Sequence, residues 1–132
     1  MNDFAFRGEI AEAVIIARLV KRGDIVLLPF GVKKYDIVVD RAGKFIRGQC
    51  KMAHHINGCL KFSTCSGNGN RGRQDYKGLA DVFWVYYPVN EKIYEIPVDQ
   101  VSSQACQLRI NPLKAKFNGG MHEVRWAKDY EI

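Results

Sequence analysis

The sequence predicts a single domain of the α/β class in which one long N-terminal helix packs on a β-sheet. Two patterns lead to this prediction: an apolar repeat of helical period at residues 4–22, and several later runs of β-branched and aromatic residues. The chain has 132 residues, the usual length of one domain, and 47% of them are hydrophobic, which suits one packed core. No linker or internal repeat interrupts the sequence, so we expect residues 1–132 to form one unit.

The N-terminal segment carries the signals of one helix. Asp3 suits the capping position, and Gly23 follows the basic pair Lys21 and Arg22 where the helix should stop. An apolar stripe with helical spacing is formed by Phe6, Ile10, Ala13, Ala17 and Val20. Because further apolar residues widen this stripe, we expect the helix to be largely buried.

Three segments after the helix favour β-structure. Residues 25–28 are a run of β-formers that ends at Pro29, which cannot donate to a strand ladder. A second strand is predicted at residues 35–40. After a loop of four residues at 41–44, the chain should return as the partner strand 45–52.

The register of this hairpin defines a candidate site. A four-residue loop pairs Asp40 with Phe45, and the same register then places Asp36 opposite Gln49. Lys51 is two residues beyond Gln49 on the same strand, so both side chains leave one face of the sheet. Arg47 shares that face, whereas the opposite face is formed by Ile46, Cys50 and Met52.

An Asp beside a Gln carbonyl and a Lys suits phosphodiester hydrolysis. Oxygen atoms are the ligands that Mg²⁺ prefers, and an ammonium group can act near the scissile phosphate. The alternative is an exposed polar face on an edge hairpin, with Asp36 and Lys51 forming a weak surface pair. Spacing alone favours that alternative, because polar alternation is common in half-solvated strands.

The second half of the chain is predicted to add strands to the sheet. The predicted elements are a strand at 59–65, a loop at 66–73, a buried strand at 82–87, its antiparallel neighbour at 92–98, a short helix at 99–105 and a strand at 107–110. His54 and His55 stay unassigned: their position next to the site allows contact with phosphate, whereas a turn after a strand often carries polar residues without function.

The cysteines are expected to be free thiols in the cytoplasm. The N-terminus lacks the features of a secretory signal, and the longest apolar run, residues 13–17, is too short to cross a membrane. The four cysteines are Cys50, Cys59, Cys65 and Cys106. A zinc site that combines the first three with His54 and His55 is a weaker alternative, since no C-x-x-C pair is present.

The charge balance favours a polyanionic partner. The chain has 20 Lys and Arg residues against 14 Asp and Glu residues, a formal net charge of +6. Such an excess supplies sequence-independent affinity for phosphates. Charge alone does not separate a nucleic-acid-binding protein from an ordinary basic protein.

Three motifs resemble those of the PD-(D/E)XK nuclease superfamily. They are RGEIAE at residues 7–12 in the helix, GVKKYD at 31–36 leading into a strand, and GQCK at 48–51 on the partner strand. The resemblance implies a restriction-endonuclease-like core with a mixed β-sheet and a divalent-metal-dependent DNA endonuclease. In archaeal-type Holliday junction resolvases a Gly-x-x-Ala-Glu helix pattern carries a metal-site Glu, which corresponds here to Glu12 and not to Glu9.

Gln49 departs from the usual Glu-x-Lys motif. Gln-x-Lys, together with the Pro-Phe-Gly approach at residues 29–31, resembles group I intron-associated homing endonucleases of cyanobacterial type. Segments 62–66, 75–78 and 125–130 are also similar to that group. Tyr35 stands where the superfamily motif begins with Pro, which leaves the Asp unaffected. With two carboxylates, metal affinity should be lower than in a three-carboxylate site, and the missing anion should lower the pKa of Lys51.

The resemblance also implies roles for individual residues. The implied catalytic residues are Glu12, Asp36, Gln49 and Lys51. The implied contacts to Mg²⁺, for which Mn²⁺ should substitute, are Glu12, Asp36, Gln49 and Cys50. The DNA contacts expected are Arg7, Lys33, Lys34, Arg71, Arg73, Tyr76 and Lys77, the alternative for the Gly-rich loop being charges that serve solubility.

Three functions remain open at this point. A site-specific homing endonuclease would act on double-stranded DNA as a homodimer or homotetramer, because one small active site cuts one strand. A junction resolvase would use the same site on branched DNA and read shape. A catalytically silent DNA-binding module is the third reading, motivated by the missing carboxylate. No membrane partner is expected, and a prokaryotic or phage-encoded protein fits best.

Overall fold

One long helix and ten strands form the part of the chain that is described in this computed structural model, which comprises residues 3–31, 33–68, 72–102, 104–112 and 124–132. The helix is α1 (Asp3–Lys21). The strands are β1 (Ile25–Leu27), β2 (Ile37–Arg41), β3 (Lys44–Met52), β4 (His54–Ile56), β5 (Cys59–Ser63), β6 (Cys65–Asn68), β7 (Gly72–Asp75), β8 (Val82–Tyr87), β9 (Lys92–Pro97) and β10 (Ala105–Arg109). Within these residues no helix is both long enough and apolar enough to span a bilayer.

Helix α1 ends at Lys21, one residue before the predicted end, and Gly23 stops it as predicted. Gly23 has a φ of +95°, a conformation that glycine adopts without steric cost. The N–H of Gly23 donates to the Val20 carbonyl at 3.0 Å, and the N–H of Asp24 donates to the Leu19 carbonyl at 3.1 Å. This pair of bonds is a Schellman motif, which satisfies the last carbonyls of the helix and turns the chain towards β1.

The face that α1 buries differs from the predicted stripe. Ala11, Ile15 and Leu19 are fully buried, whereas Phe6 is 47% and Val20 55% exposed. The prediction that the helix is largely buried is therefore wrong. Apolar residues occur on most sides of this helix, so the periodicity did not specify which side contacts the sheet.

The central sheet has five strands in the order β1-β2-β3-β8-β9. Neighbouring strands are antiparallel except β3 and β8, which run parallel. The sheet is therefore mixed, as predicted. Strand β3 is its middle strand, so the candidate site does not lie on an edge hairpin, and that alternative is wrong.

The β2–β3 hairpin has the predicted register with a shorter loop. Arg41 pairs with Lys44, which leaves two loop residues, Ala42 at φ 52° and Gly43 at φ 88°. Two consecutive positive φ values are typical of a type I′ turn, which matches the twist of a hairpin. Asp40 pairs with Phe45 as expected, because shortening the loop by one residue on each side leaves the register unchanged.

Two smaller sheets accompany the central sheet, and residues of β5 and β10 pack on its face opposite α1. One has the order β10-β5-β4, and the other consists of β6 and β7. Of the predicted loop at 66–73, residues 66–68 belong to β6 and 72–73 to β7, whereas 69–71 lie outside the described residues. Among the described residues of the predicted helix at 99–105, the helical part is the end of a 3-10 turn at Val98–Gln100. Both corrections concern segments with weak local propensity, where tertiary pairing decides the conformation.

The core is divided into two layers by the central sheet. Strand β8 is buried along its whole length, and its side chains alternate between the layers. Trp84 and Tyr86 pack towards α1, whereas Phe83 and Val85 pack towards β5 and β10. Because both faces of the sheet are covered, polar residues on β3 lie in a partly enclosed environment.

Gly48 is expected to be essential for stability, because a Cβ atom there would overlap the indole ring of Trp84. The indole is fixed by its Nε1–H, which donates to Glu95 Oε1 at 2.7 Å. We expect Gly48→Ala to lower the free energy of unfolding by about 1–3 kcal/mol, the range of overpacked cores. Chemical denaturation measures this. Gly8→Ala is the control, since a Cβ at Gly8 has no heavy atom within 4 Å; equal midpoints for the two variants would contradict the prediction.

Candidate active site

Asp36 is the central carboxylate of the candidate site. It directly precedes β2, and its N–H donates to the Gly48 carbonyl at 2.9 Å, which extends the hairpin register so that it faces Gln49. Its Oδ2 accepts a hydrogen bond from the Cys50 N–H at 2.9 Å. Burial raises the pKa of the Asp36 carboxyl, and the Cys50 N–H and the Lys51 ammonium partly offset this effect.

Glu12 is the second carboxylate and comes from helix α1. It follows the buried Ala11 on the helix, is half-buried, and has the Asp36 carboxylate as a charged neighbour. Burial raises the pKa of Glu12, and the negative charges of Asp36 and Glu9 raise it further. The helix thus brings to Asp36 the carboxylate that the motif at residues 7–12 predicts.

Lys51 is a half-buried cation on β3. Its Nζ lies 5.2 Å from the centroid of the Tyr76 ring. Burial lowers the pKa of Lys51, while the neighbouring Asp36 and Cys65 act in the opposite direction. The direction agrees with the expectation from the sequence, but the main cause is burial by the second layer of the fold.

Gln49 is half-buried and lies on the same face of β3 as Lys51. The two residues pair with Phe83 and Val85 of β8, whose side chains belong to the layer formed with β5 and β10. Within the described part of the chain the Gln49 amide forms no hydrogen bond. Its carbonyl oxygen is therefore available to a ligand.

Cys50 takes part in the site through its main chain. Its side chain packs in the layer beneath α1. Burial strongly raises the pKa of the thiol, and the charges of Asp36 and Glu12 raise it further, so a thiolate ligand is disfavoured. The N–H that binds Asp36 is its observed contribution, and the predicted contact of Cys50 with the metal stays a prediction.

The donor set fits a hard divalent cation. Glu12 and Asp36 are two carboxylates whose pKa values are both raised, so a bound cation would stabilise their charged forms. An amide oxygen from Gln49 is a suitable third ligand. Among the described residues, no group of three or more His, Cys, Asp or Glu side chains could hold a metal, so the zinc alternative has no support there.

The residues considered for zinc have other environments. The four cysteines are free thiols, and Cys59 and Cys65 are buried. His54 and His55 belong to strand β4, and His55 Nδ1 is hydrogen-bonded to the Tyr87 hydroxyl at 3.0 Å. The turn predicted for these histidines is therefore wrong.

The expected DNA contacts fall into three groups. Arg7, Lys33 and Lys77 are exposed, and Lys34 is half-buried. Arg71 lies outside the described residues, as does the side chain of Arg73. Tyr76 is a correction: its side chain is 4% exposed and packs in the core against Phe83, so it cannot serve as a surface contact.

A surface groove of about 380 Å³ was not predicted, and the residues just before Asp36 in the chain form part of its lining. It is lined by Lys33, Lys34, Tyr35, Arg47 and Leu79. The Arg47 guanidinium lies 6.0 Å from the Tyr35 ring centroid and forms an ion pair with Asp81 at 3.1 Å. Part of this groove could have been predicted from the spacing of Arg47 and Gln49, which places both side chains on one face of β3.

Comparison with known proteins identifies a matching family and a similar fold. A sequence model of a family described as PD-(D/E)XK endonuclease matches residues 4–132. Among solved structures, the bacterial homing endonuclease I-Ssp6803I is similar, with a TM-score of 0.65 and 24% identity, over 94% of this chain and 83% of that chain. No curated protein sequence matches the chain significantly. The structural likeness confirms the predicted restriction-endonuclease-like fold.

Proposed function

Because this chain belongs to the PD-(D/E)XK endonuclease family, we propose that it is a site-specific homing-type endonuclease that uses Mg²⁺ to cut double-stranded DNA. The chain is a DNA endonuclease, and nucleases of this family use divalent metals. The observation that supports the proposed active site is that Glu12 on α1 and Lys51 on β3 both lie near enough to Asp36, just before β2, for its charge to act on them.

Two features favour the homing function over other endonuclease functions. The motif at 48–51 has Gln49 where most members have Glu, as in the homing endonucleases that it resembles. I-Ssp6803I, described as a bacterial homing endonuclease, shares the fold over most of both chains. A DNA substrate is also consistent with the cytoplasmic location expected from the sequence.

Glu12, Asp36 and Gln49 are the residues that we assign to the metal. Two carboxylates and one amide oxygen match the oxygen preference of Mg²⁺, and the Cys50 N–H fixes the orientation of the Asp36 carboxylate. When bound, the ion would polarise the phosphoryl group and lower the pKa of water. Mn²⁺ should substitute, since it accepts the same ligands.

Lys51 is assigned to the reacting phosphate and the attacking water. Its half-buried ammonium can donate hydrogen bonds from Nζ to a phosphate oxygen as negative charge develops there. Because burial lowers the pKa of Lys51, loss of a proton from Nζ costs less than in an exposed lysine. The same atom can therefore orient the water and assist its deprotonation.

The DNA surface is assigned to the cations around the site. The net charge of +6 favours a duplex, and exposed Arg7, Lys33 and Lys77 can neutralise phosphates. The groove that Lys34 and Arg47 help to line is a further candidate path for the backbone. Arg71 and Arg73 remain proposals for the same role.

We also propose a homodimer or homotetramer. One active site cuts one strand, so a double-strand break requires a second copy. The exposed large apolar side chains Leu28, Phe30 and Phe45 support self-association, because such surfaces often mark interfaces. Light scattering coupled to gel filtration should give twice or four times the 15.0 kDa chain mass, and a monomer would contradict the proposal.

The function is tested by comparing two DNA substrates with the same sequence. One is a duplex that joins the sequences flanking the reading frame, and the other is a four-way junction with the same arms. With Mg²⁺ we expect a double-strand break at one position of the duplex. Symmetric nicking of the junction with an intact duplex would instead establish a resolvase. Binding to both substrates without cleavage would establish a silent DNA-binding module.

Gln49→Glu should keep at least partial cleavage activity. The substitution adds a carboxylate to a site with two, which should tighten metal binding without changing the ligand geometry. The Mg²⁺ concentration for half-maximal cleavage should therefore decrease, and Gln49→Leu, which lacks the carbonyl, should raise it. If Gln49→Glu is folded and binds DNA but does not cleave at saturating Mg²⁺, Gln49 is not a ligand and donates a hydrogen bond instead.

A further inference from the structure

We propose that Tyr76 is a positioning residue that holds the Lys51 ammonium in the active site with the face of its aromatic ring. This inference deepens the proposed function, because it rests on the assignment of Lys51 to the reacting phosphate. Lys51 Nζ lies 5.2 Å from the ring centroid of Tyr76, within the range of a cation–π contact. The two residues are 25 positions apart in the sequence, and the fold brings them together.

The ring of Tyr76 is itself held rigidly. It meets Phe83 edge-on, with centroids 5.5 Å apart and an interplanar angle of 89°, and Phe83 meets Phe62 at 5.5 Å in the same manner. The backbone is fixed as well, because the N–H groups of Leu79 and Ala80 both donate to the Tyr76 carbonyl, at 2.9 and 3.0 Å. The ring is therefore a fixed surface that connects β8 and β5 to the active site.

Lys51 needs such a surface because it has few other direct anchors. In the described residues its Nζ forms neither a hydrogen bond nor an ion pair, and Asp36 and Cys65 act on it only as nearby charges. A lysine side chain has four rotatable bonds, so an unanchored ammonium would occupy many positions. Burial of the side chain and contact with the ring reduce these positions.

An aromatic ring can hold the Lys51 ammonium while its N–H groups remain available to donate hydrogen bonds. In a cation–π contact the attraction comes from the electron-rich face of the ring, so N–H groups directed away from the ring stay available. A carboxylate in the place of Tyr76 would accept hydrogen bonds from those N–H groups, and it would raise the pKa of Lys51. The aromatic partner therefore suits a cation that must donate to a phosphate oxygen.

The first test is kinetic and compares Tyr76→Phe with Tyr76→Leu. Phe keeps the ring and should keep kcat within about twofold, whereas Leu removes the ring face and should lower kcat by about tenfold with KM unchanged. In a Lys51→Met background, Tyr76→Leu should cause no further loss, since no ammonium remains to be held. An equal loss in both backgrounds, or an increase in KM with unchanged kcat, would overturn the proposal.

The second test does not depend on cleavage. Because Lys51 Nζ lies over the ring, ring current should shift the NMR signals of the adjoining ε-methylene protons upfield in the wild type and in Tyr76→Phe. The shift should disappear in Tyr76→Leu. Its absence from the folded wild-type protein would refute the contact even if Tyr76→Leu did not fold. If the ring-current shift is present but the protein cleaves no DNA, Tyr76 still anchors Lys51. That result would refute the proposed function and not the contact.

Discussion

Asp36→Asn is expected to abolish DNA cleavage while DNA affinity stays within about twofold of wild type, because the basic surface is unchanged. Asparagine keeps the shape of the side chain, and its amide oxygen can still accept the Cys50 N–H. What is lost is the carboxylate charge that acts on both Glu12 and Lys51. The measurements are the nicking rate at saturating Mg²⁺ and the Kd for duplex DNA at fixed salt.

Stability provides a second readout for the same variant. The pKa of Asp36 is raised in the folded protein. At pH values above the ordinary pKa of an Asp, the ionised carboxylate therefore lowers the stability of the fold. Without metal, Asp36→Asn should therefore be at least as stable as the wild type at neutral pH. Asp99→Asn, a change of an exposed Asp in the 3-10 turn, is the control and should leave both cleavage and stability unaltered. Cleavage at the wild-type rate by Asp36→Asn would remove Asp36 from the active site.

Lys51→Met is expected to lower kcat by about 10² or more, the usual effect of losing a group that moves a proton or stabilises developing charge. Methionine keeps an unbranched apolar stem, and its sulfur can occupy the space over the Tyr76 ring. The variant should therefore fold with the same thermal midpoint within a few degrees. Single-turnover cleavage at saturating enzyme measures the chemical step directly.

Lys61→Met is the matched control for this substitution. Lys61 is a half-buried lysine on β5 that pairs with His54 of β4 and Gln107 of β10, and its loss removes the same charge from the protein. If both variants reduce cleavage equally and the size of the reduction depends on salt concentration, the substitutions weaken DNA binding and do not affect the chemical step. A difference of two orders of magnitude that persists at saturating DNA would locate the effect in the active site.

The elements that sequence predicted well are those whose signals are local. Gly23 marks the end of α1, and the turn at Ala42 and Gly43 sets the register that brings Asp36 opposite Gln49. Each depends on backbone conformations within a few residues. The Asn57-Gly58 pair is an equally local hairpin signal, and it accounts for the β4–β5 turn, which was not predicted.

The predictions that were wrong concern segments for which several local conformations are possible. Helix α1 has apolar residues on most sides, and contact with the central sheet selected the face of Ala11, Ile15 and Leu19. The Gly- and Asn-rich segment after Cys65 reads as a loop, yet β6 pairs with β7. In both cases a long-range contact decided between conformations of similar local free energy.

The sequence by itself determined the types of most elements, the register of the β2–β3 hairpin and the identity of the motif residues Glu12, Asp36, Gln49 and Lys51. Only the tertiary structure decided which of them meet and in what surroundings. The approach of Glu12 to Asp36 requires α1 to pack on the sheet, and the burial of Lys51 over Tyr76 requires the second layer to cover β3. The physical reason is that backbone sterics and hydrogen bonds act between neighbours in sequence, whereas burial and electrostatic environment depend on residues that are distant in the chain.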